Sequence, residues 1–153
     1  MNITAIKNTL AVSIGAVVQQ APLSVAVVRA AYDHLFAGDL EAFLDCVHAN
    51  CVLVEAKSLP YGGRHVGRQS IKAAVLRVID TWSEFRFDIE EMLVGENSVI
   101  AYGKMVVRGR MTDIEATFPL AERWAFKDGH VMEIVAIYGD TALAVHAAGS
   151  RAD

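Results

Sequence analysis

Up to Thr81 the apolar residues recur at helical spacing, and beyond it they alternate, so the chain divides into a helical part and a stranded part. Val25, Val28, Tyr32, Leu35 and Phe36 make the buried stripe of a helix expected over residues 22–37, with Ser24 as its N-cap and Gly38 as its stop. Asp39 is placed to cap a second helix carrying Leu40, Phe43, Leu44 and Val47. Residues 50–55 hold Cys-Val-Leu-Val-Glu, a short run that predicts a strand covered on both faces. Residues 57–67, with Pro60, Gly62, Gly63 and Gly67, read as a loop. Ile71, Val75, Val78 and Ile79 mark one face of a third helix.

After Thr81, Phe85, Phe87 and Ile89 alternate with charged residues, which predicts a half-buried strand. Gly95-Glu96-Asn97 turns the chain into a long strand over residues 98–110. Its two faces are Ile100, Tyr102, Lys104, Val106, Arg108 and Arg110 against Val99, Ala101, Gly103, Met105, Val107 and Gly109. Thr112-Asp113 turns it again. In the strand over residues 114–127, Phe118, Leu120, Glu122, Trp124 and Phe126 share one face. Asp128-Gly129 is a strong hairpin signal before a last strand over residues 130–138. Gly139-Asp140 breaks that strand, and Asp140 is placed to cap a terminal helix. Helices followed by a meander of long strands is an α+β order. The expected architecture is a cone-shaped, curved antiparallel sheet closed by N-terminal helices, with Gly103 and Gly109 where the sheet bends.

At 153 residues and 54% hydrophobic content the chain is long enough and apolar enough for one domain with a real core, here residues 22–148 followed by a tail over 149–153. Ile3, Ile6, Leu10, Ile14 and Val17 extend helical spacing into residues 1–21. Lys7, the apolar run 10–18 and Ala21 also give that segment a weak signal-like character, which would mean export. Gln19-Gln20 spoils the cleavage pattern, so the favoured reading is a leading helix on a cytoplasmic protein. A net charge of −4 offers no basic footprint for nucleic acid, and no apolar run reaches bilayer length, so neither nucleic acid nor membrane is an expected partner. Cys46 and Cys51 form no CxxC and suggest no disulfide framework.

The chemistry centres on carboxylates. Glu122 lies among bulky apolar neighbours on its strand face, and an ionised carboxylate there needs a partner, a cavity or a raised pKa. Two readings stand side by side: a functional acid, or a carboxylate paired with a cation across the sheet. Glu55 ends its strand on the face of Cys51 and Leu53, beside the glycine-rich loop. It reads either as a proton-transfer group or as a solvated strand end paired with Lys57. Tyr138, in line with Ile134 and Ala136, points into the cone as a ligand contact or as core filling. Phe118 and Trp124 read as pocket wall. Tyr61, Arg64 and His65 sit in the expected mouth loop, to gate a ligand or simply to face solvent, and Arg68 reads as structural. The five histidines show no HExxH and no ligand spacing, Tyr61-Gly62-Gly63 lacks a GK[ST] ending, and no GxSxG occurs, so no metal or cofactor is expected.

The segments AYDHLFAGDLEAFL, CVLVE, LPYGGRHVGRQSI and WAFKDGHVMEIVAIYGDTAL, in this order and spacing, resemble the nuclear-transport-factor-2-like superfamily, and within it the SnoaL-like and ketosteroid-isomerase-like proteins. The resemblance covers residues 23–140. It implies a cone-shaped fold and a homodimer paired through the sheet. Its members range from isomerases, polyketide cyclases, dehydratases and epoxide hydrolases to non-catalytic binding domains, so fold alone does not name a reaction. Laid on the isomerases, Glu122 falls where their pocket carries a protonated aspartic acid, and Glu55 where they carry the general base. Their tyrosine on the first helix falls at Ala31, with Tyr32 one position round, and a supporting tyrosine falls at Val75. The expectation is therefore a pocket for a small apolar ligand, with Glu55 and Glu122 catalytic and Tyr32, Tyr61, His65, Met105, Phe118, Leu120, Trp124 and Tyr138 lining it. Cofactor-free isomerisation, cyclisation or dehydration is the expected chemistry, with a non-catalytic binding or dimeric assembly module as the alternative. Epoxide hydrolysis is less supported, because no Asp-Arg-Asp relay can be assembled.

Overall fold

A computed structural model describes residues 23–150. The leading helix expected over residues 1–21 and the last three residues of the tail lie outside the described residues. Helix α1 covers residues 23–36. Leu23 and Ser24 are already helical, so Ser24 is not the N-cap that its residue type suggested. Gly38, at φ 79°, ends α1. The Asp39 carboxylate then accepts from the Ala42 N–H at 3.0 Å and caps α2 (Leu40–Asp45), as its position predicted.

Two local expectations are corrected here. Helix α2 stops at Asp45, and Val47 opens strand β1 (Val47–Glu55) instead of extending the helical stripe. The Val47 carbonyl accepts from the Arg68 guanidinium at 3.0 and 2.7 Å, and Val47 pairs with Val131, so long-range bonds outweigh helical spacing. The expected loop over 57–67 contains a short strand, β2 (Gly63–Val66), antiparallel to β1 through Leu53↔His65 and its neighbours.

Helix α3 (Arg68–Thr81) leads directly into β3 (Trp82–Val94), followed by β4 (Ser98–Gly109), β5 (Glu115–Lys127), β6 (His130–Tyr138) and α4 (Thr141–Ala148). Asp140 caps α4 by accepting from the Leu143 N–H at 2.9 Å. The sheet order is β2-β1-β6-β5-β4-β3. β1 and β6 run parallel and the other neighbours antiparallel, so the sheet is mixed rather than purely antiparallel. The meander β3–β6 returns to lay its last strand on the open edge of β1, and it arrives in the direction of β1.

Two devices shape the sheet. Asp128 and Gly129 both have positive φ, 52° and 77°, which matches a two-residue turn of the twist that joins β5 to β6. Opposite Gly103 the register of β3 slips between Ile89 and Glu91, and a Cβ on Gly103 would lie 2.1 Å from the Asp88 carbonyl. The sheet bends there, and only glycine allows the approach.

The concave face and the helices enclose two packed clusters. One holds Val28, Phe43, Leu53, Ile71, Trp124 and Ile134; the other holds Leu59, Tyr61, Trp82, Phe118, and Ala144, Ala147 and Ala148 of α4. Met105 and Tyr138 touch both, and a cavity lies between them. No helix among the described residues is long and apolar enough to cross a membrane.

Candidate functional site

Each polar group in this cavity is put there by the alternation of a strand. Along β1, Cys51, Leu53 and Glu55 point inward, and Glu55 is 9% exposed where the strand leaves the sheet. Along β5, Phe118, Leu120, Glu122 and Trp124 point inward, and Glu122 lines the same cavity as Glu55. The β6 end brings Tyr138, and the buried face of α1 brings Tyr32. Tyr61 arrives by a different route. The segment after β1 makes two consecutive turns, Leu59 N–H to the Ala56 carbonyl at 3.1 Å and Gly62 N–H to the Leu59 carbonyl at 2.8 Å. These fold the segment inward, leaving Tyr61 2% exposed. Tyr61 is thus a deep residue and not the gate in a mouth loop that its glycine-rich surroundings suggested.

The hydroxyls order themselves into two chains. Tyr138 Oη donates to Glu55 Oε2 at 2.8 Å, and Tyr61 Oη lies 3.2 Å from Tyr138 Oη. A phenol has one proton, and that of Tyr138 is spent on Glu55, so Tyr61 must donate to Tyr138. Trp82 Nε1–H in turn donates to Tyr61 Oη at 3.1 Å. The sequence of donors is therefore Trp82, Tyr61, Tyr138, Glu55. On the opposite side, Trp124 Nε1–H donates to Tyr32 Oη at 3.0 Å, and Tyr32 donates to Glu122 Oε2. Each carboxyl thus accepts from a phenol, and an indole N–H stands at the far end of each chain.

Burial governs the charge state. Removal from water, then repulsion from Glu122, push Glu55 up to about 8, against a smaller pull downward from Tyr138. Burial likewise raises Glu122, opposed by hydrogen bonding from Tyr32 and Trp124. Burial and the adjacent carboxylates hold Tyr32, Tyr61 and Tyr138 above the ordinary phenol value, so all three remain neutral donors. Neither of the alternative partners for the glutamates is found: Glu55 is not with Lys57, and Glu122 bonds a tyrosine rather than a cation.

Eight of the ten residues singled out from the sequence line this cavity: Tyr32, Glu55, Tyr61, Met105, Phe118, Glu122, Trp124 and Tyr138. Leu120 and His65 do not. Leu120 is packed in the core on the same strand face, and His65 on β2 donates from Nε2 to the Tyr61 carbonyl at 2.9 Å. Ala31, which aligned with the isomerase tyrosine, is buried in the core, and the phenol comes from Tyr32 instead. Arg68 holds β1 through the Val47 carbonyl and the end of α2 through Asp45, the structural part expected of it. Trp82 and Phe85 were missed; Trp82 sits at the α3–β3 junction, where neither periodicity reveals a facing direction. The cavity measures about 70 Å³, well below the roughly 300 Å³ at which pockets for drug-sized ligands begin. Among the described residues no cluster of three metal-ligating side chains occurs.

The sequence model of the SnoaL-like domain matches residues 28–134, most of the chain, from within α1 to the middle of β6, with Tyr138 beyond its end. The chain belongs to the SnoaL-like family. No curated protein matches the sequence. Among solved structures, this SnoaL-like chain is similar to an NTF2-like protein of unknown function from Burkholderia pseudomallei K96243, with TM-score 0.77 and 20% identity over 84% of this chain and 98% of that one. It is similar to TerC, co-crystallised with polyporic acid, at TM-score 0.75 and 21% identity over 84% and 99%. A protein from Shewanella denitrificans OS-217, assigned to the SnoaL-like polyketide cyclases, gives TM-score 0.69 and 19% identity over 85% and 99%. At these identities the likeness establishes the shared fold.

Proposed function

We propose that this SnoaL-like protein holds a small molecule of largely apolar body in its cavity and moves protons on it without a cofactor, in an isomerisation, cyclisation or dehydration. The observation that carries this reading is the pair of glutamates in one cavity, each with its own phenol donor. General acid–base chemistry is most efficient when the proton affinity of the group lies near the working pH, and Glu55, at about 8, meets that condition. The two carboxyls repel each other, so the pair titrates as a unit and passes through a state with one proton. For turnover the single proton has to sit on Glu122 once the ligand is bound, so that an ionised Glu55 takes a proton from the ligand while Glu122 donates to the oxygen on which negative charge develops. Tyr138 and Tyr32 stabilise whichever carboxyl is ionised, which lets the proton return at the end of the cycle. The co-crystallisation of TerC with polyporic acid is in keeping with an organic ligand bound by a protein of this fold.

The test is α-proton exchange of cyclopentanone and cyclohexanone in deuterated water, followed by proton NMR. The protein is expected to accelerate exchange, and Glu55→Gln to lower the acceleration by about 10²–10⁴-fold. Exchange no faster than buffer, or a Glu55→Gln variant as fast as the native chain, refutes the reading.

One observation favours a second reading. Both carboxyls are already satisfied by tyrosines, which suits a non-catalytic binding module. That reading expects Glu55→Gln to retain ligand and no ketone to exchange.

A further inference from the structure

The wall of the cavity has an unbalanced charge inventory. Two carboxyls face it, and no lysine, arginine or histidine among the described residues does. Arg68, Arg86, Arg108 and Arg123 are matched with carboxylates elsewhere, on partly exposed side chains. The donors are also spent: each phenol proton and each indole N–H in the two chains already serves a neighbour. An anionic ligand would find no counter-charge, and the donor left to it would be a carboxyl proton. Roughly half of the lining side chains are aromatic, and the negative faces of such rings attract cations.

We infer that the ligand of this cavity carries a positive charge, as a protonated or quaternary amine with short apolar substituents, seated between Glu55 and Glu122. This rests on the reading of the two glutamates as one ligand-facing pair, and it deepens that reading by naming the substrate class. A cation offsets at once the repulsion between the carboxyls and the burial of each. It also removes a difficulty in the acid–base cycle. Below about pH 8 Glu55 is mostly protonated, and only its ionised fraction can act as base. A cation beside it favours the ionised form, and the ligand itself then generates the base that acts on it. The titratable groups facing Glu55 are Glu122 from β5, Tyr138 from β6, Tyr61 from the segment before β2 and Tyr32 from α1; α3, β3 and β4 present only apolar and indole groups to the cavity.

The experiment is calorimetric titration of the full chain with tetramethylammonium, which does not itself titrate, alongside tert-butanol and pivalate as its neutral and anionic counterparts. Saturable binding of tetramethylammonium is expected. Its affinity should rise about tenfold per pH unit and level off near pH 8, since each cation bound below that point displaces one proton. Proton release is read from buffers of different ionisation enthalpy. Glu55→Gln should bind more weakly and lose most of the pH dependence. Glu122→Gln serves as the second variant if circular dichroism shows the first to be unfolded. The inference is overturned if tert-butanol or pivalate binds as tightly as the cation, if the cation's affinity is flat with pH, or if no cation binds. Ketone exchange that depends on Glu55, with tetramethylammonium ignored, overturns this inference and leaves the acid–base reading standing. Cation binding without exchange of any ketone does the reverse.

Discussion

The raised proton affinity of Glu55 makes folding stability depend on pH in a direction opposite to that of ordinary paired carboxylates. A carboxyl that ionises near 4.5 in the unfolded chain and near 8 in the folded one is bound to a proton more firmly when folded. Folding is therefore favoured by this group below about pH 4.5, the advantage is lost as pH rises towards 8, and the loss is complete above it. The full difference corresponds to about 5 kcal/mol, an upper bound reduced by any water that enters the cavity once Glu55 ionises. Glu122 shifts in the same direction and adds to the slope. Glu55→Gln keeps an oxygen for Tyr138 but cannot ionise. Urea unfolding from about pH 5 to pH 9 should show the native chain losing several kcal/mol relative to the variant, equivalent in a chain of this size to a melting-point difference on the order of 10 °C. The other titratable groups are common to both proteins, so the difference curve reports Glu55 and its coupling to Glu122. Parallel curves for the two proteins across this range would show that Glu55 is not held protonated by its surroundings, and the account of the cavity's electrostatics would fail.

Tyr138→Phe should destabilise the chain by about 1–3 kcal/mol, because it removes the donor to Glu55 and the acceptor of Tyr61. The Glu55 pKa, followed by carbon-13 NMR of its carboxyl, should rise further, and an unchanged value would exclude the proposed donor chain. Gly103→Ala should cost about 3 kcal/mol in urea unfolding, since its methyl group would meet the Asp88 carbonyl at 2.1 Å; a loss below about 1 kcal/mol would mean that the bend yields easily.

The parts legible in the sequence are those fixed by local periodicity. Alternation along β5 brought out the inward face with Glu122, and the caps Asp39 and Asp140 were readable from residue type and position. Val47 and β2 were not legible, because their places are set by partners distant in the chain, Arg68 and Val131 for the one and β1 for the other. The depth of Tyr61 was hidden for a related reason: glycines around it signal a loop but not whether the loop folds inward. Tyr32 looked displaced by one position from the family tyrosine, yet its ring, packed edge-on to Trp124 at 5.3 Å, reaches Glu122 across the cavity. A long side chain tolerates an offset of a single helical residue that a positional comparison treats as a loss.

The bonds that define the cavity are among the longest cross-connections in the chain: Tyr138 and Glu55 are 83 residues apart, Tyr32 and Glu122 are 90. Closing a loop of that length costs on the order of 4 kcal/mol in chain entropy, more than either hydrogen bond returns. The turn at Asp128-Gly129 can form from local residues alone, but no fragment ending before β5 contains Glu122, Trp124 or Tyr138. The cavity therefore belongs to the finished topology and to no segment of it: the two carboxyls come to line one cavity only after the parallel seam between β1 and β6 has closed.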